Sequence, residues 1–158
     1  MLIALVSHTD GPQVILTERA PFLRHHPSQV SLPGGRIEDA DVGPLAAALR
    51  EAHEEVGLPP AQVEILGCLP TYRTISDFQV HPFVGWVDEP IELVPQAEEV
   101  TEVFLVPLDV VTKEANYRLE EIQRHGRSHS YYVLDWPTQH IWGATAGILR
   151  SLAQALNA

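Results

Sequence analysis

The sequence contains one cysteine, Cys68, and no apolar run long enough to span a bilayer. A single cysteine excludes an internal disulfide, the bond that stabilises many small secreted proteins. The first residues, MLIALVSHTDG, lack the basic region and the small-residue cleavage site of a signal peptide. These absences predict a cytoplasmic protein without a membrane segment.

Basic residues are also scarce, at ten against 21 acidic residues, which leaves a net charge of -11. Nucleic acids and anionic membranes bind basic surfaces, so this balance argues against both as partners. Only one basic residue is a lysine, Lys113. Either codon bias explains that preference, or several arginines bind phosphate, which fits the planar guanidinium better than an ammonium group.

With 158 residues and 45% hydrophobic content, the chain is predicted to form one globular domain over residues 1–158. It contains no internal repeat, low-complexity tract or linker. The segments LIALVSH and QVILTER flank TDGP, a pattern typical of two strands joined by a turn. Further strands are predicted at VEILGCLPTY, QVHPFVGWV, VFLVPL and YYVLDW.

The apolar period becomes helical over Val42–Val56. Either Asp39 or Asp41 is expected to cap this helix, and Gly57 is expected to end it. A second amphipathic helix is predicted from about Thr138 to the C-terminus. Its expected inward residues are Ile141, Trp142, Thr145, Ile148, Leu149 and Leu152. This order of strands and helices predicts an α/β fold with a mixed β-sheet between helices.

Three glutamates crowd the end of the first predicted helix, in REAHEEVGL. They face the negative end of the helix dipole at a cost of about 0.3–1 kcal/mol each, and Glu51 also repels Glu55. A hard cation such as Mg²⁺ or Mn²⁺ bound to the carboxylates would offset this cost. Alternatively, the glutamates form a solvated face on which Arg50 pairs with Glu54. The histidine between them, His53, is expected to be exposed.

The segment LPGGR favours the metal interpretation, because two glycines let the backbone approach an ion or a phosphate closely. Together with REAHEEVGL it resembles the Nudix box: Gly, five residues, Glu, seven residues, Arg-Glu, an aliphatic residue, any residue, Glu-Glu, any residue and Gly. In this chain the box starts at Gly35. Asp41 stands for the first Glu, the next spacer is one residue longer, and Ala52 replaces the bulky aliphatic residue. The extra residue is expected to be absorbed around DADVG.

The upstream segment LTERAPFLRHHPSQVSLPGG is similar to the motif before the box in coenzyme A pyrophosphatases. That motif is Leu-Thr-any-Arg-Ser/Ala, three residues, Arg, three residues, Gly, three residues and Phe-Pro-Gly-Gly. Ser28 stands for its first Gly and Leu32 for its Phe. The resemblance continues through EEVTEVFLVPLDVV and HIWGATAGILR, and is closest to the bacterial, cytoplasmic branch. It implies a Nudix-type α/β/α sandwich.

This resemblance implies hydrolysis of the pyrophosphate bond of coenzyme A or a derivative, with Mg²⁺ or Mn²⁺ as cofactor. The implied metal ligands are Glu51, Glu54, Glu55 and a backbone carbonyl of the Gly34–Gly35 pair. Arg50 is expected to orient the glutamates. The catalytic base is expected to be a box glutamate, such as Glu54, or Glu99 in PQAEEVTEV. For Glu98 and Glu99, a solvated acidic loop is the alternative.

Basic and aromatic residues complete the implied site. The candidates for contacting the 3′-phosphate or the pyrophosphate are Arg19, Arg24, His25, His26 and Arg36, although a surface location also explains each of them. Three residues either flank an adenine or serve packing, namely Tyr72, Arg73 and Phe78. The segment EEIQRHGRSHSYYV holds a further basic cluster, which either reaches the substrate or borders a hairpin.

Two other functions remain open at this stage. A Nudix pyrophosphatase could act on another nucleoside diphosphate derivative, such as ADP-ribose or NADH, and competition between substrates would separate the two activities. A non-catalytic Nudix-like domain could instead bind a nucleotide or a protein, but the three glutamates of the closing half disfavour it. The expected partner is a small dinucleotide of the coenzyme A type, and the sequence leaves open a homodimer.

Overall fold

The structure is a computed structural model that describes all 158 residues. Its strands are β1 (Leu2–Val6), β2 (Gln13–Arg19), β3 (Val30–Ser31), β4 (Glu64–Cys68), β5 (Tyr72–Arg73), β6 (Gln79–Val80), β7 (Phe83–Val87), β8 (Val100–Pro107), β9 (Tyr117–Arg124), β10 (Arg127–Leu134) and β11 (Ile141–Trp142). Its α-helices are α1 (Pro44–Val56), α2 (Leu108–Thr112) and α3 (Gly143–Leu156). None of the helices combines the length and the apolar character needed to cross a membrane.

Six strands form the central sheet, in which β2 has neighbours on both sides. Strand β8 pairs with nearly all of β2 on one side. On the other side, β1 pairs with the start of β2 and β3 pairs with its end. The sheet continues through a parallel pairing of β1 with β7 and an antiparallel pairing of β7 with β4. The mixed sheet predicted from the sequence is therefore confirmed.

Alternate residues of β1 point to opposite faces of this sheet and enter two separate cores. On one face, Leu2, Ala4 and Val6 pack in a cluster with residues of α1, namely Ala48, Ala52 and Val56. On the other face, Ile3 and Leu5 pack in a cluster with residues of α3, namely Ala146, Ile148, Leu149 and Leu152. The sheet is thus buried between helices, as the predicted sandwich requires.

Helix α1 ends where its sequence predicts. Gly57 adopts a left-handed φ of 71°, and its N–H donates to the carbonyl of His53 at 2.9 Å. The N–H of Leu58 reaches back to the carbonyl of Ala52 at 3.4 Å, and its side chain is buried against the α1 core. The glycine and the buried leucine fix the point where the chain leaves the helix.

The start of α1 differs from the prediction. Gly43 occupies the N-cap position without a side-chain hydrogen bond, so neither Asp39 nor Asp41 caps the helix. Instead, the Asp41 carboxylate accepts hydrogen bonds from the side chain of Arg50 and from the backbone N–H of Glu38. One of the two candidate caps, Asp41, therefore binds Arg50 instead.

The C-terminal helix also starts later than predicted, at Gly143. Ile141 and Trp142, expected on its inward face, form β11 and pair with β10. Ile141 is buried in the same core as Ile148, so the apolar pattern continues although the backbone is extended. Strand β9 is absent from the predicted strands because most of its side chains are exposed. It pairs with β10 across Gly126, so the segment EEIQRHGRSHSYYV forms a hairpin, as one of its two interpretations has it.

Ser28 supplies a prediction about stability. Its φ of 55° lies in the left-handed region, where a Cβ costs roughly 1–2 kcal/mol, and glycine avoids that cost. We expect Ser28→Gly to raise the unfolding free energy by about 1 kcal/mol, which corresponds to about 2–4 °C in thermal unfolding. Ser28→Ala keeps the Cβ and serves as the control without a gain. An unchanged or lower midpoint for Ser28→Gly would contradict the conformational argument.

Candidate active site

Three carboxylates converge at the end of α1. Glu51 and Glu55 lie one helical turn apart on α1, and Glu99 lies in the loop immediately before β8. One carboxylate oxygen from each of the three lies within 4.8 Å of the other two. Since like charges repel at this distance, the group requires positive charge nearby.

Backbone hydrogen bonds hold Glu99 beside the helix end. The segment 94–99 runs along the end of α1, and the N–H of Gln96 donates to the carbonyl of Glu55 at 2.9 Å. The N–H of Glu99 donates to the carbonyl of Gln96, and its own carbonyl accepts from Ala20, both at 2.9 Å. The loop therefore satisfies a terminal carbonyl of the helix and fixes the third carboxylate of the cluster.

Glu55 is the most buried member of the cluster, with 4% of the residue exposed. Its Oε2 accepts a hydrogen bond from the N–H of Gly34 at 2.9 Å, and its Oε1 lies 3.9 Å from Nη1 of Arg19. Burial raises its pKa to about 7, and the charges of Glu51 and Glu99 add to this effect, which Gly34 and Arg19 oppose. One hydrogen bond and one distant guanidinium do not neutralise the charge of Glu55.

Gly35 allows the carboxylate of Glu51 to approach the backbone. A Cβ added at Gly35 would lie 2.3 Å from Oε1 of Glu51, a distance that real atoms do not adopt. The group that Gly35 leaves room for is therefore a carboxylate, and the predicted approach of the glycine pair to an ion or a phosphate stays a prediction. Burial raises the pKa of Glu51 as well, while Arg50 lowers it.

Arg50 connects the cluster to the loop before α1 and uses all five N–H donors of its guanidinium. Nε and Nη2 bind the two oxygens of Asp41, each at 3.0 Å, and Nη2 also donates to the carbonyl of Arg36 at 3.1 Å. Nη1 donates to Glu51 at 3.2 Å and to Glu54 at 3.0 Å. Arg50 therefore fixes the direction of Glu51 from outside the cluster.

The donor set of the cluster fits a hard divalent cation. Its side-chain donors are all carboxylate oxygens, which suit Mg²⁺ or Mn²⁺. The raised pKa values of Glu51 and Glu55 indicate that the protein's own groups stabilise the negative charge of the cluster too little. A bound cation would remove this deficit, and Glu51, Glu55 and Glu99 are the residues placed to hold it.

The family model of the NUDIX domain matches residues 2–129 of the chain. The chain belongs to the Nudix family. A relative from Enterobacter sp. (strain 638), the uncharacterized Nudix hydrolase NudL, is 42% identical over 153 residues, which cover 97% of this chain and 79% of the relative. The NudL of Escherichia coli (strain K12) is 42% identical over 154 residues, with the same two coverages. The protein is therefore a Nudix hydrolase, an enzyme that acts on pyrophosphate bonds.

Solved structures support the Nudix fold. The Ap4A hydrolase of C. elegans has a TM-score of 0.59 at 17% identity, covering 68% of this chain and 78% of that one. The Nudix hydrolase RenU of M. smegmatis has a TM-score of 0.53 at 28% identity, covering 68% of each chain. The predicted Nudix-type α/β/α sandwich is confirmed.

The predicted site residues divide into two groups. Glu51 and Glu55 meet Glu99, whereas Glu54 is exposed and turns to Arg50. The solvated pairing of Arg50 with Glu54 thus exists alongside the carboxylate cluster. Four predicted substrate contacts are exposed on loops, namely Arg24, His25, His26 and Arg36. His53 is exposed, as expected.

Sequence reasoning missed two contacts of the site. Asp41 binds Arg50 through both carboxylate oxygens, and this contact was not predicted. The signal for it was that Asp41 stands for the first Glu of the Nudix box. The hydrogen bond from the N–H of Gly34 to the carboxylate of Glu55 was also missed, because no local sequence pattern specifies which side chain a backbone N–H binds. The metal contact through a backbone carbonyl of the Gly34–Gly35 pair stays a prediction.

We expect Arg50→Lys to lower kcat/KM at least about tenfold, because lysine keeps the charge but cannot bind Asp41, Glu51 and Arg36 together. Steady-state kinetics and the Mn²⁺ dissociation constant would both reveal the loss. Arg118→Lys is the matched control, since Arg118 also binds two carboxylates but lies on β9. Equal activity in the two lysine variants would contradict an orienting role for Arg50.

Proposed function

We propose that the protein hydrolyses the pyrophosphate bond of coenzyme A or a derivative, giving 4′-phosphopantetheine and adenosine 3′,5′-bisphosphate. The observation that carries this proposal is the junction between the upstream motif and the cluster. The motif residue Ala20 donates its N–H to the carbonyl of Glu99 at 2.9 Å. The loop that resembles the coenzyme A motif thus starts with a backbone hydrogen bond to Glu99, a residue of the cluster.

Hydrogen bonds also define the shape of this loop, residues 20–29. The N–H of Arg19 donates to the carbonyl of Gln29 at 3.0 Å, and the N–H of Ser28 donates to the carbonyl of Arg19 at 3.1 Å. The two bonds close the base of the loop. Arg24, His25 and His26 are exposed beyond it. We assign these three residues to the phosphate groups of the substrate, because guanidinium and imidazolium groups bind phosphate oxygens.

Arg19 is proposed to contact the substrate from the inner side of the loop. Its Nε is buried and has no hydrogen-bond partner, and its Nη1 lies 3.9 Å from Oε1 of Glu55. A buried donor without a partner costs free energy. An oxygen of the bound substrate would satisfy it, which supports a phosphate contact.

The remaining roles are binding of the metal ion and acceptance of a proton from the attacking water. Glu51, Glu55 and Glu99 are proposed to hold Mg²⁺ or Mn²⁺, with help from Glu54 and from the backbone at Gly34. A bound cation would supply charge neutralisation at the pyrophosphate and would lower the pKa of water. Glu54 and Glu99 are the candidates for accepting the proton of the attacking water. Arg50 keeps Glu51 oriented throughout.

A substrate screen tests this proposal. The purified protein is given coenzyme A, ADP-ribose or NADH with Mg²⁺ or Mn²⁺, and the products are identified by mass. We expect cleavage of coenzyme A to the two named products and its preference in competition at equal concentration. Loss of all cleavage in EDTA is the control for metal dependence. Intact coenzyme A beside a hydrolysed dinucleotide would overturn the substrate assignment.

Two broader properties belong with this function. The single domain over residues 1–158 remains a prediction from the sequence, which leaves a homodimer open. Light scattering of the purified chain would give the oligomeric state, and a single cooperative unfolding transition is expected for one domain.

A further inference from the structure

Arg36 differs from Arg19 and Arg50, the two arginines that lie against the carboxylate cluster, because no carboxylate neutralises it. Arg50 binds carboxylates directly, and Arg19 lies 3.9 Å from Glu55, whereas Arg36 has no ion pair and no side-chain hydrogen bond. Its guanidinium carbon instead lies 5.5 Å from the centroid of the Phe78 ring. In a chain with a net charge of -11, an arginine without a carboxylate partner is available for an anionic ligand.

Phe78, whose ring lies under the guanidinium of Arg36, belongs to the tight turn that joins β5 and β6. The N–H of Thr74 donates to the carbonyl of Phe78 at 2.9 Å, and the N–H of Phe78 donates to Oγ1 of Thr74 at 3.0 Å. Phe78 is 50% exposed, although a phenylalanine normally contributes to a core. The ring is therefore held by the backbone of the hairpin and presented at the surface.

The backbone of Arg36 lies at the edge of the carboxylate cluster. Its carbonyl accepts a hydrogen bond from Nη2 of Arg50 at 3.1 Å, and a Cβ at the preceding residue, Gly35, would overlap the carboxylate of Glu51. From this anchored backbone the side chain extends to Phe78. The backbone of Arg36 is thus hydrogen-bonded beside the candidate metal site, and its guanidinium packs on the Phe78 ring of the hairpin.

We propose that Phe78 holds Arg36 in position to bind a phosphate group of the substrate outside the scissile pyrophosphate. This inference rests on the proposed function, and the group in coenzyme A is the 3′-phosphate. The scissile pyrophosphate faces carboxylates and depends on cations there, whereas a terminal phosphate at the edge fits the planar fork of an arginine. Phe78 acts as a positioning residue. The ring under the guanidinium already restricts the conformations of the Arg36 side chain, so that Arg36 loses less conformational entropy when the phosphate binds.

The test compares coenzyme A with 3′-dephospho-coenzyme A, which lacks the proposed ligand group. For Arg36→Ala we expect kcat/KM on coenzyme A to fall about 10- to 100-fold through KM, with less than about a twofold change on the dephospho substrate. For Phe78→Ala we expect KM on coenzyme A to rise about two- to fivefold, again without a matching change on the dephospho substrate. Phe78→Leu keeps an apolar side chain without a ring and should resemble Phe78→Ala.

The double variant and a distant control identify the mechanism. If Phe78 acts through Arg36, the double variant Arg36→Ala/Phe78→Ala should be no worse than Arg36→Ala alone. Arg150→Ala removes the other arginine that lies over an aromatic ring, that of Tyr132, and should change neither substrate. A purely structural role for Phe78 would lower kcat on both substrates alike.

The experiment distinguishes failure of the Arg36 phosphate contact from failure of the proposed hydrolysis of coenzyme A. If both substrates are cleaved and Arg36→Ala weakens them equally, the phosphate contact is overturned while the proposed function stands. An additive double variant would overturn the positioning role and indicate that Phe78 contacts the substrate itself. If neither substrate is cleaved, the proposed function fails and the inference fails with it.

Discussion

Replacing Glu55 with glutamine should lower kcat at least about 100-fold, because the variant loses the most buried charge of the carboxylate cluster. Glutamine keeps the size of the side chain and an oxygen that can accept the hydrogen bond from Gly34. The loss is therefore expected in metal binding and turnover, without a loss of folding. Steady-state kinetics across a range of Mn²⁺ concentrations would measure both.

The same variant should be more stable than the wild type when metal is absent and the pH is high. The pKa of Glu55 rises from 4.5 to about 7 on folding, mainly through burial. Protonation therefore favours the folded state: this contribution is complete below about pH 4.5 and is lost as the pH rises through about 7. Glutamine does not ionise, so Glu55→Gln should gain about 1–3 kcal/mol over the wild type at pH 8 and almost nothing at pH 4.5.

Denaturant unfolding in EDTA at the two pH values checks this sign. Adding Mg²⁺ should then stabilise the wild type more than the variant, since only the wild type has the full set of carboxylates. Glu64→Gln, which changes an exposed glutamate on β4, controls for the change in net charge. Normal turnover by Glu55→Gln would break the assignment of Glu55 to the metal site.

Gly35→Ala should lower kcat/KM by about 100-fold, although the substitution adds only one methyl group. The new Cβ would occupy the position of the Glu51 carboxylate, 2.3 Å from its Oε1, and a displacement of about 1 Å in a site can cost 10²-fold. The φ of Gly35 lies outside the left-handed region, so alanine strains the backbone little. We therefore expect weaker Mn²⁺ binding with an almost unchanged unfolding midpoint.

Gly67→Ala is the matched control for this substitution. A Cβ at Gly67 on β4 meets nothing within 4 Å, and Gly67 also has no positive φ. Activity and metal affinity should stay at the level of the wild type in that variant. Wild-type affinity for Mn²⁺ in Gly35→Ala would mean that the position of Glu51 does not govern metal binding.

The sequence specifies the parts of the site that depend on local periodicity. The positions of Glu51 and Glu55 follow from helical spacing, and the end of α1 follows from Gly57, whose left-handed φ few other residues adopt. The same spacing places Glu55 at the edge of the buried stripe, and the residue is indeed buried. Local rules were sufficient here because the contacts lie within one or two helical turns.

Contacts between distant segments could not be read from local patterns. The position of Asp41 just before α1 makes it, with Asp39, a candidate helix cap, but its carboxylate binds Arg50, nine residues further along the chain. Ile141 and Trp142 continue the apolar pattern of α3, yet pairing with β10 makes them a strand. The contact of Arg36 with Phe78 depends on how the β5–β6 hairpin lies relative to the segment LPGGR. In each case tertiary contacts decide among conformations that the local sequence allows.

Anomalous diffraction from a crystal grown with Mn²⁺ tests the central claim most directly, namely that the carboxylates at the end of α1 hold a divalent cation. We predict a peak bounded by Glu51, Glu55 and Glu99, and its loss or marked weakening in Glu55→Gln crystals grown in the same way. A map from the wild-type protein without a peak beside these carboxylates, at Mn²⁺ concentrations that support turnover, would contradict the account.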